Sequence, residues 1–258
     1  EKMIRAGNDE GVLISHFDDF APLRDELSPL RRFFGARREP TSDDVPLVFE
    51  FEISNTCNMG CIMCGGKWSS VIRRDREKLP PLESPYDDDF VRQIEGFLPT
   101  LKRANFLGGE PFLIKQYLDI WEAIAHINPD IEVAITSNGS VWNRRVERIL
   151  RDLKRVKLTL SIDSLQKATY ESIRLGGDFD TVRRNIDRFL DLGVLVSFSV
   201  CPMIQNWHEM PEILSFAQEH DLDVFFNTVT APLGMNPEAY AASDAPAVSL
   251  RRLTPSEL

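Results

Sequence analysis

Three cysteines in one short segment are the residues of this chain best suited to chemistry. Cys57, Cys61 and Cys64 follow one another with the spacing C-x3-C-x2-C. Cysteine thiolates are the usual protein ligands of iron–sulfur clusters. Three of them can hold three irons of a [4Fe–4S] cube and leave the fourth iron open to a substrate or cofactor. The spacing therefore predicts a cluster with one open iron.

A zinc site is the alternative for the same three thiols. Structural zinc takes four ligands, and the nearest histidines in sequence, His16 and His126, are both far from the segment. Zinc sites also more often pair C-x2-C units. The remaining cysteine, Cys201, follows a predicted strand and is interpreted as a buried structural thiol. A thiol that faces the substrate is the alternative for Cys201.

Four motifs in this order resemble the radical S-adenosylmethionine (radical SAM) superfamily. The cysteine segment is the first, and residues 106–111 read FLGGEP. Residues 136–139 read TSNG, and residues 161–164 read SIDS with YESIR at 170–174. The last pair resembles the branch that carries SPASM or twitch extensions. The resemblance covers residues 45–230.

The resemblance implies two cofactors and a reaction class. In that superfamily SAM chelates the open iron of a [4Fe–4S] cluster through its amino and carboxylate groups. One electron then cleaves SAM to methionine and a 5′-deoxyadenosyl radical, which abstracts hydrogen from the substrate. The implied partners are an electron donor such as flavodoxin or ferredoxin and a peptide, protein or small-molecule substrate. The residues that act on the substrate are not assigned by the resemblance.

The resemblance also assigns SAM contacts to the residues around the predicted cluster. Gly108 and Gly109 let the backbone approach a ligand closely, and Glu110 would add charge or brace their loop. Met63 stands where the family more often has an aromatic residue, and we expect it to pack near the adenine. Polar groups at the ends of the third and fourth strands would bind ribose or carboxylate, as would an arginine; they are Ser137, Asn138, Ser161, Asp163 and Arg174. The alternative for the glycine loop is a plain strand-to-helix turn, and the alternative for Met63 is ordinary packing. The alternative for the polar groups at the strand ends is helix capping, and for Arg174 it is a solvated position near a helix end.

Alternating strand and helix patterns must position these motifs. Short runs rich in Val, Ile, Leu and Phe predict strands at 47–54, 103–107, 132–136, 157–162, 194–200 and 223–229. Helical patterns lie between them at 87–98, 114–127, 143–153, 179–192 and 210–220. This order predicts an α/β fold with a parallel sheet and helices outside. It matches the partial (β/α)6 TIM-type barrel of the radical SAM core, and it places the motifs at the carboxyl ends of strands, where barrel enzymes carry their chemistry.

The length of the chain and the positions of its turn and linker residues predict that it has three parts. Residues 1–44 are interpreted as an N-terminal extension with short helices, residues 45–230 as the core, and residues 231–258 as a linker or the start of a C-terminal region. The chain begins with Glu1 and ends within a polar segment. We therefore expect it to be a piece of a longer protein.

The composition of the chain argues against some classes of binding partner. The net charge is −10, which argues against nucleic-acid binding because that needs clustered cations. No apolar run approaches the roughly 20 residues of a membrane span, and no secretory signal is visible. An oxygen-sensitive cluster needs a reducing compartment, so we expect a cytoplasmic protein. The competing interpretation is a non-catalytic zinc- or cluster-binding protein with a degenerate barrel.

Overall fold

Strands and helices alternate through residues 45–227 and 229, the part of the chain that the computed structural model describes. The strands are β1 Val48–Phe51, β2 Arg103–Phe106, β3 Glu132–Ser137, β4 Val156–Ser161, β5 Leu195–Val200 and β6 Asp223–Phe226. The α-helices are α1 Ser70–Asp75, α2 Asp88–Glu95, α3 Lys115–Ile127, α4 Arg144–Asp152, α5 Lys167–Ile173, α6 Phe179–Asp191 and α7 Met210–Glu219. Short 3-10 turns precede α3 and α7 at Pro111–Leu113 and Trp207–Glu209. The predicted N-terminal extension and the predicted region at 231–258 lie outside the described residues.

The six strands form one parallel sheet in the order β1-β2-β3-β4-β5-β6. Each strand therefore pairs with the next one along the chain, and helical connections return the chain to the start of the neighbouring strand. One aligned row crosses five of the strands through buried side chains, namely Phe51, Phe106, Ile135, Leu158 and Val196. This architecture confirms the predicted partial (β/α)6 barrel.

Apolar stripes on the longer helices cover the sheet as the sequence pattern predicts. Ile120 and Ile124 of α3 are fully buried, whereas Ile127 at the end of that helix is 38% exposed. Val182 and Ile186 of α6 are also fully buried. No helix in the described part of the chain has the length and apolar character needed to cross a bilayer.

Two helices do not follow from the sequence pattern. Helix α1 has six residues and α5 has seven, which is too short for a helical period to be recognised. Isolated helices of this length are not stable in water, so contacts with the rest of the molecule must support them. Helix α1 follows the cysteine segment closely in sequence. The end of α5 forms a hydrogen bond with that segment.

The Tyr117 hydroxyl joins the ends of the first two strands. It accepts a hydrogen bond from the Ile53 amide (3.2 Å) and donates one to the Leu107 carbonyl (2.8 Å). Removing the hydroxyl in Tyr117→Phe leaves a buried donor and an acceptor without their partner. We expect the free energy of unfolding to fall by about 1–3 kcal/mol, measured by urea denaturation.

A matched control is available in a second buried tyrosine. Tyr170 is as fully buried as Tyr117, and its hydroxyl has no hydrogen-bond partner among the described residues. Tyr170→Phe should leave the free energy of unfolding unchanged or raise it slightly, because no hydrogen bond is lost. Equal losses in the two variants would contradict the role given to the Tyr117 hydroxyl.

Candidate active site

The loop that follows β1 brings the three clustered cysteines to the carboxyl edge of the sheet. Cys57, Cys61 and Cys64 are all free thiols and are half-buried. The same edge carries the predicted glycine loop after β2, the polar ends of β3 and β4, and Cys201 after β5. The fold thus gathers at one edge the motifs that are spread over more than a hundred residues of sequence.

Two serines at the start of α1 hold the backbone of the cysteine loop. Ser69 caps the helix by accepting a hydrogen bond from a backbone amide of its first turn, and its hydroxyl donates to the Met59 carbonyl (2.7 Å). The Ser70 hydroxyl accepts from the Cys57 amide (3.1 Å) and lies 3.2 Å from the Cys57 carbonyl. These serines were not singled out from the sequence, although serine before a helix is a known capping signal.

The other side of the cysteine loop rests on the end of α5 and on Arg76. The Gly60 amide donates to the Leu175 carbonyl (2.8 Å), and the Ile62 amide donates to the Ile173 carbonyl (2.9 Å). The Arg76 guanidinium donates to the carbonyl oxygens of the second and third cysteines of the segment. The loop is therefore held by protein contacts on both sides.

Burial governs the protonation of the clustered thiols. It raises the pKa of Cys57, of Cys61 and of Cys64, the last to about 12. Because the thiolate is the form that binds metal, binding must release protons from these groups. Among the described residues, no three His, Cys, Asp or Glu side chains are arranged around a single metal ion. The three free thiols on one loop are the donor type that iron–sulfur clusters take.

The glycine loop and the cysteine loop approach each other backbone to backbone. Gly109 donates to the Ser54 carbonyl (3.1 Å), and Glu110 donates to the Thr56 carbonyl (2.7 Å). A β-carbon on Gly109 would lie 2.1 Å from the Thr56 oxygen. Gly108 has φ +116°, and a β-carbon there would lie 2.7 Å from the Ser54 oxygen. Only glycine allows this approach at both positions.

The Glu110 carboxylate braces the glycine loop against the end of β3. It is fully buried and accepts hydrogen bonds from the Phe112 amide (3.1 Å), the Ser137 hydroxyl (2.8 Å) and the Asn138 amide (2.7 Å). Of the two roles expected from the sequence, these contacts are those of a brace. Burial raises the pKa of Glu110 to about 7, and the hydrogen bonds from Asn138, Phe112 and Ser137 offset part of that rise.

The raised pKa of Glu110 predicts a pH-dependent stability. The folded protein holds this proton more tightly than the unfolded chain, whose Glu110 titrates near 4.5. The stabilisation is complete below about pH 4.5 and is lost as the pH rises through about 7, a change on the order of 3 kcal/mol. Glu110→Gln cannot titrate there, so its stability should depend less on pH than that of the parent. Parallel profiles from urea denaturation of the two proteins at pH 5 and pH 8.5 would contradict this.

The end of β3 is tied to the cysteine loop by side-chain amides. Asn138 donates to the Asn58 side-chain oxygen (2.9 Å), and Asn58 donates to the Ser140 hydroxyl (2.9 Å). Asn143, and not Ser137 or Asn138, caps α4. The helix-capping alternative for Ser137 and Asn138 is therefore wrong for this helix.

A buried ion pair lies at the end of β4. Asp163 is fully buried, Arg174 is 6% exposed, and Arg174 Nη2 lies 2.7 Å from Asp163 Oδ2. Asp163 Oδ1 accepts a hydrogen bond from the Cys201 amide (2.8 Å). Arg174 Nη1 lies 3.9 Å from the sulfur of Cys61. Arg174 is the C-cap residue of α5, but its burial removes the alternative of a solvated arginine near a helix end.

The two remaining predicted contacts are half-buried at the same edge. Ser161 is the last residue of β4 and aligns with Ser199 of β5. Met63 packs against a small apolar cluster formed by Ile173, Met203 and Val229. Cys201, interpreted from the sequence as a buried structural thiol, is half-buried and packs against that cluster too.

The chain is similar to known proteins in sequence and in fold. The family profile described as Radical SAM superfamily matches residues 51–217. GTP 3′,8-cyclase of Clostridium botulinum (strain Okra / Type B1) is 24% identical over 195 residues, which are 74% of this chain and 58% of that protein. The chain therefore spans a little over half the length of this curated relative.

Two solved structures of SuiB from Streptococcus suis have a similar fold. SuiB bound to S-adenosylmethionine matches with a TM-score of 0.58 at 16% identity, over 86% of this chain and 54% of SuiB. SuiB bound to its precursor peptide SuiA matches with a TM-score of 0.55 at 16% identity, over 83% and 53%. At this level of identity the likeness establishes the fold.

Proposed function

The chain belongs to the radical SAM superfamily, and on that premise we propose that it cleaves SAM reductively to initiate radical chemistry on a substrate. One observation carries the proposal: the cysteine loop, the glycine loop and the polar strand ends lie together at the carboxyl edge of the sheet. When bound, a [4Fe–4S] cluster and SAM supply a 5′-deoxyadenosyl radical that abstracts hydrogen. The protein's part is to hold both groups and to exclude water from them.

Cys57, Cys61 and Cys64 are proposed as the ligands of the cluster. Their thiols are free and share one loop, and that loop is held on both sides by hydrogen bonds to protein groups. Three thiolates leave one iron of a cube for another ligand. The donor set and the support around it fit this cofactor.

SAM is proposed to lie between the glycine loop and the ends of β3 and β4. The carbonyls of Gly108 and Gly109 would accept hydrogen bonds from its ammonium group, with Glu110 holding that loop in place. Ser161 and Arg174 would bind its carboxylate or ribose groups. The other proposed contacts line or support the same space, and they are Met63, Ser137, Asn138 and Asp163.

Two classes of substrate are proposed. SuiB, a fold relative, has been solved with a precursor peptide, which supports a peptide or protein substrate. The similarity to a GTP cyclase supports a small molecule. An electron donor such as flavodoxin or ferredoxin, a cytoplasmic location and membership of the SPASM/twitch-like branch remain parts of the proposal that rest on the sequence.

Anaerobic reconstitution tests the proposed function. The protein would be loaded with iron and sulfide, reduced with dithionite and given SAM, and 5′-deoxyadenosine would be measured together with iron. We expect about four irons per chain, the content of one cube, and formation of 5′-deoxyadenosine. A full cluster without product under these conditions would favour a cluster-binding protein, and zinc in place of iron would favour a zinc-binding protein.

A further inference from the structure

One of the three clustered thiols has a buried cation beside it. Arg174 Nη1 lies 3.9 Å from the sulfur of Cys61, within hydrogen-bonding range for sulfur. The contact joins positions 113 residues apart in sequence, so neither side of it could be recognised from the cysteine motif. Arg174 is almost completely buried, and its charge therefore acts on Cys61 with little screening by solvent.

A buried carboxylate forms an ion pair with this cation. Asp163 is fully buried and holds Arg174 Nη2 at 2.7 Å. Asp163 is itself held by the Cys201 amide at 2.8 Å. The pair therefore has its positive end toward Cys61 and its negative end against β5. A buried ion pair is a weak source of stability, which leaves its presence beside a ligand thiol to be explained.

We propose that the Asp163–Arg174 pair sets the reduction potential of the cluster through Cys61. The inference rests on the proposed function, because it requires Cys61 to be a cluster ligand. A reduced cluster carries one more negative charge than an oxidised one, so a nearby cation favours the reduced form. Hydrogen bonds to sulfur and charges near the ligands are established means by which proteins adjust cluster potentials. Asp163 is a positioning residue that aims Arg174 and offsets part of its charge.

The pair makes predictions of opposite sign for its two members. Arg174→Gln removes the cation and leaves the Asp163 carboxylate, so the midpoint potential should become more negative. Asp163→Asn leaves the cation uncompensated, so the potential should become more positive. If the pair had only a structural role, the midpoint potentials of the two variants would not shift in opposite directions.

The experiment is a redox titration of the reconstituted protein followed by electron paramagnetic resonance. It is carried out without SAM, so that loss of a SAM contact by Arg174 does not enter the result. The double variant Asp163→Asn with Arg174→Gln keeps the side-chain volumes and leaves no unpaired buried charge. Arg174 contacts the Cys61 sulfur directly, and its charge acts on that thiol more strongly than the charge of Asp163. The potential of the double variant should therefore also become more negative, by less than in Arg174→Gln alone.

A half-buried group of ion pairs on the helical layer provides the control. Arg145→Gln breaks the ion pairs of Arg145 with Asp119 and Glu122 and should leave the potential unchanged. Shifts of the same sign in the two single variants would overturn the inference. If a single variant fails to retain iron, the double variant decides, and an unchanged potential in it overturns the inference. A parent protein that holds no cluster or cleaves no SAM would refute the proposed function instead, which keeps the two failures distinct.

Discussion

Cys64→Ala is expected to reduce the formation of 5′-deoxyadenosine to the background of the assay. The variant retains two of the three thiolates, which cannot hold three corners of a cube. Iron content should fall well below that of the parent, because one of the three proposed ligand thiolates is missing. Both quantities are measured on protein reconstituted in parallel with the parent.

Cys201→Ala is the matched control for that loss. Cys201 is also a half-buried free cysteine, but it packs against the apolar cluster behind the cysteine loop. Its replacement should preserve iron content and SAM cleavage. Retained cleavage in Cys64→Ala would refute the ligand assignment, whereas lost cleavage with a full cluster in Cys201→Ala would show that Cys201 is not merely structural.

Gly109→Ala is expected to weaken SAM binding by tenfold or more and to destabilise the fold. The added carbon would lie 2.1 Å from the Thr56 oxygen and 2.7 Å from the Asn55 carbonyl carbon. Both neighbours are backbone atoms, so the two loops must separate to make room. Overpacking of this kind costs about 1–3 kcal/mol or more, and the separation displaces the carbonyls proposed to bind the SAM ammonium.

Gly96→Ala provides the comparison for Gly109→Ala. A carbon added at Gly96 would lie 3.6 Å from the Gln93 carbonyl oxygen, which is an ordinary contact. Gly96 has φ −61°, so alanine fits there and should be neutral or stabilising. SAM binding would be followed by calorimetry and stability by urea denaturation. If Gly109→Ala binds SAM as the parent does, the glycine loop is not the SAM site.

The fold could be predicted because its signals are local and repeated. Each strand is a short apolar run bounded by polar residues or glycine, and the longer helices have clear apolar faces. The predicted strand at 103–107 differs from Arg103–Phe106 by one residue. The first strand is shorter than predicted, because residues 52–54 leave the sheet to begin the cysteine loop. Helix α1 was missed because six residues show no period, and its support comes from hydrogen bonds between its capping serines and the cysteine loop.

The residue types of the site could be predicted from the sequence, but the protein groups that each residue contacts could not. The sequence pointed to Glu110, Asp163 and Arg174 as polar groups near SAM. The structure shows that each already has a protein partner: Glu110 holds the end of β3, and Asp163 holds Arg174. Such pairings depend on distances between different strands and loops, which no local pattern encodes.

The close approach of residues 54–56 to residues 108–110 limits how this scaffold can be recombined with others. Two backbone hydrogen bonds join the segments, and a single added methyl group would force them apart. A cysteine loop grafted alone from another enzyme would therefore not fit against the glycine loop of this protein. In chimeric proteins the transferable module is the pair of loops together with α1, and junctions placed between them should yield misassembled products.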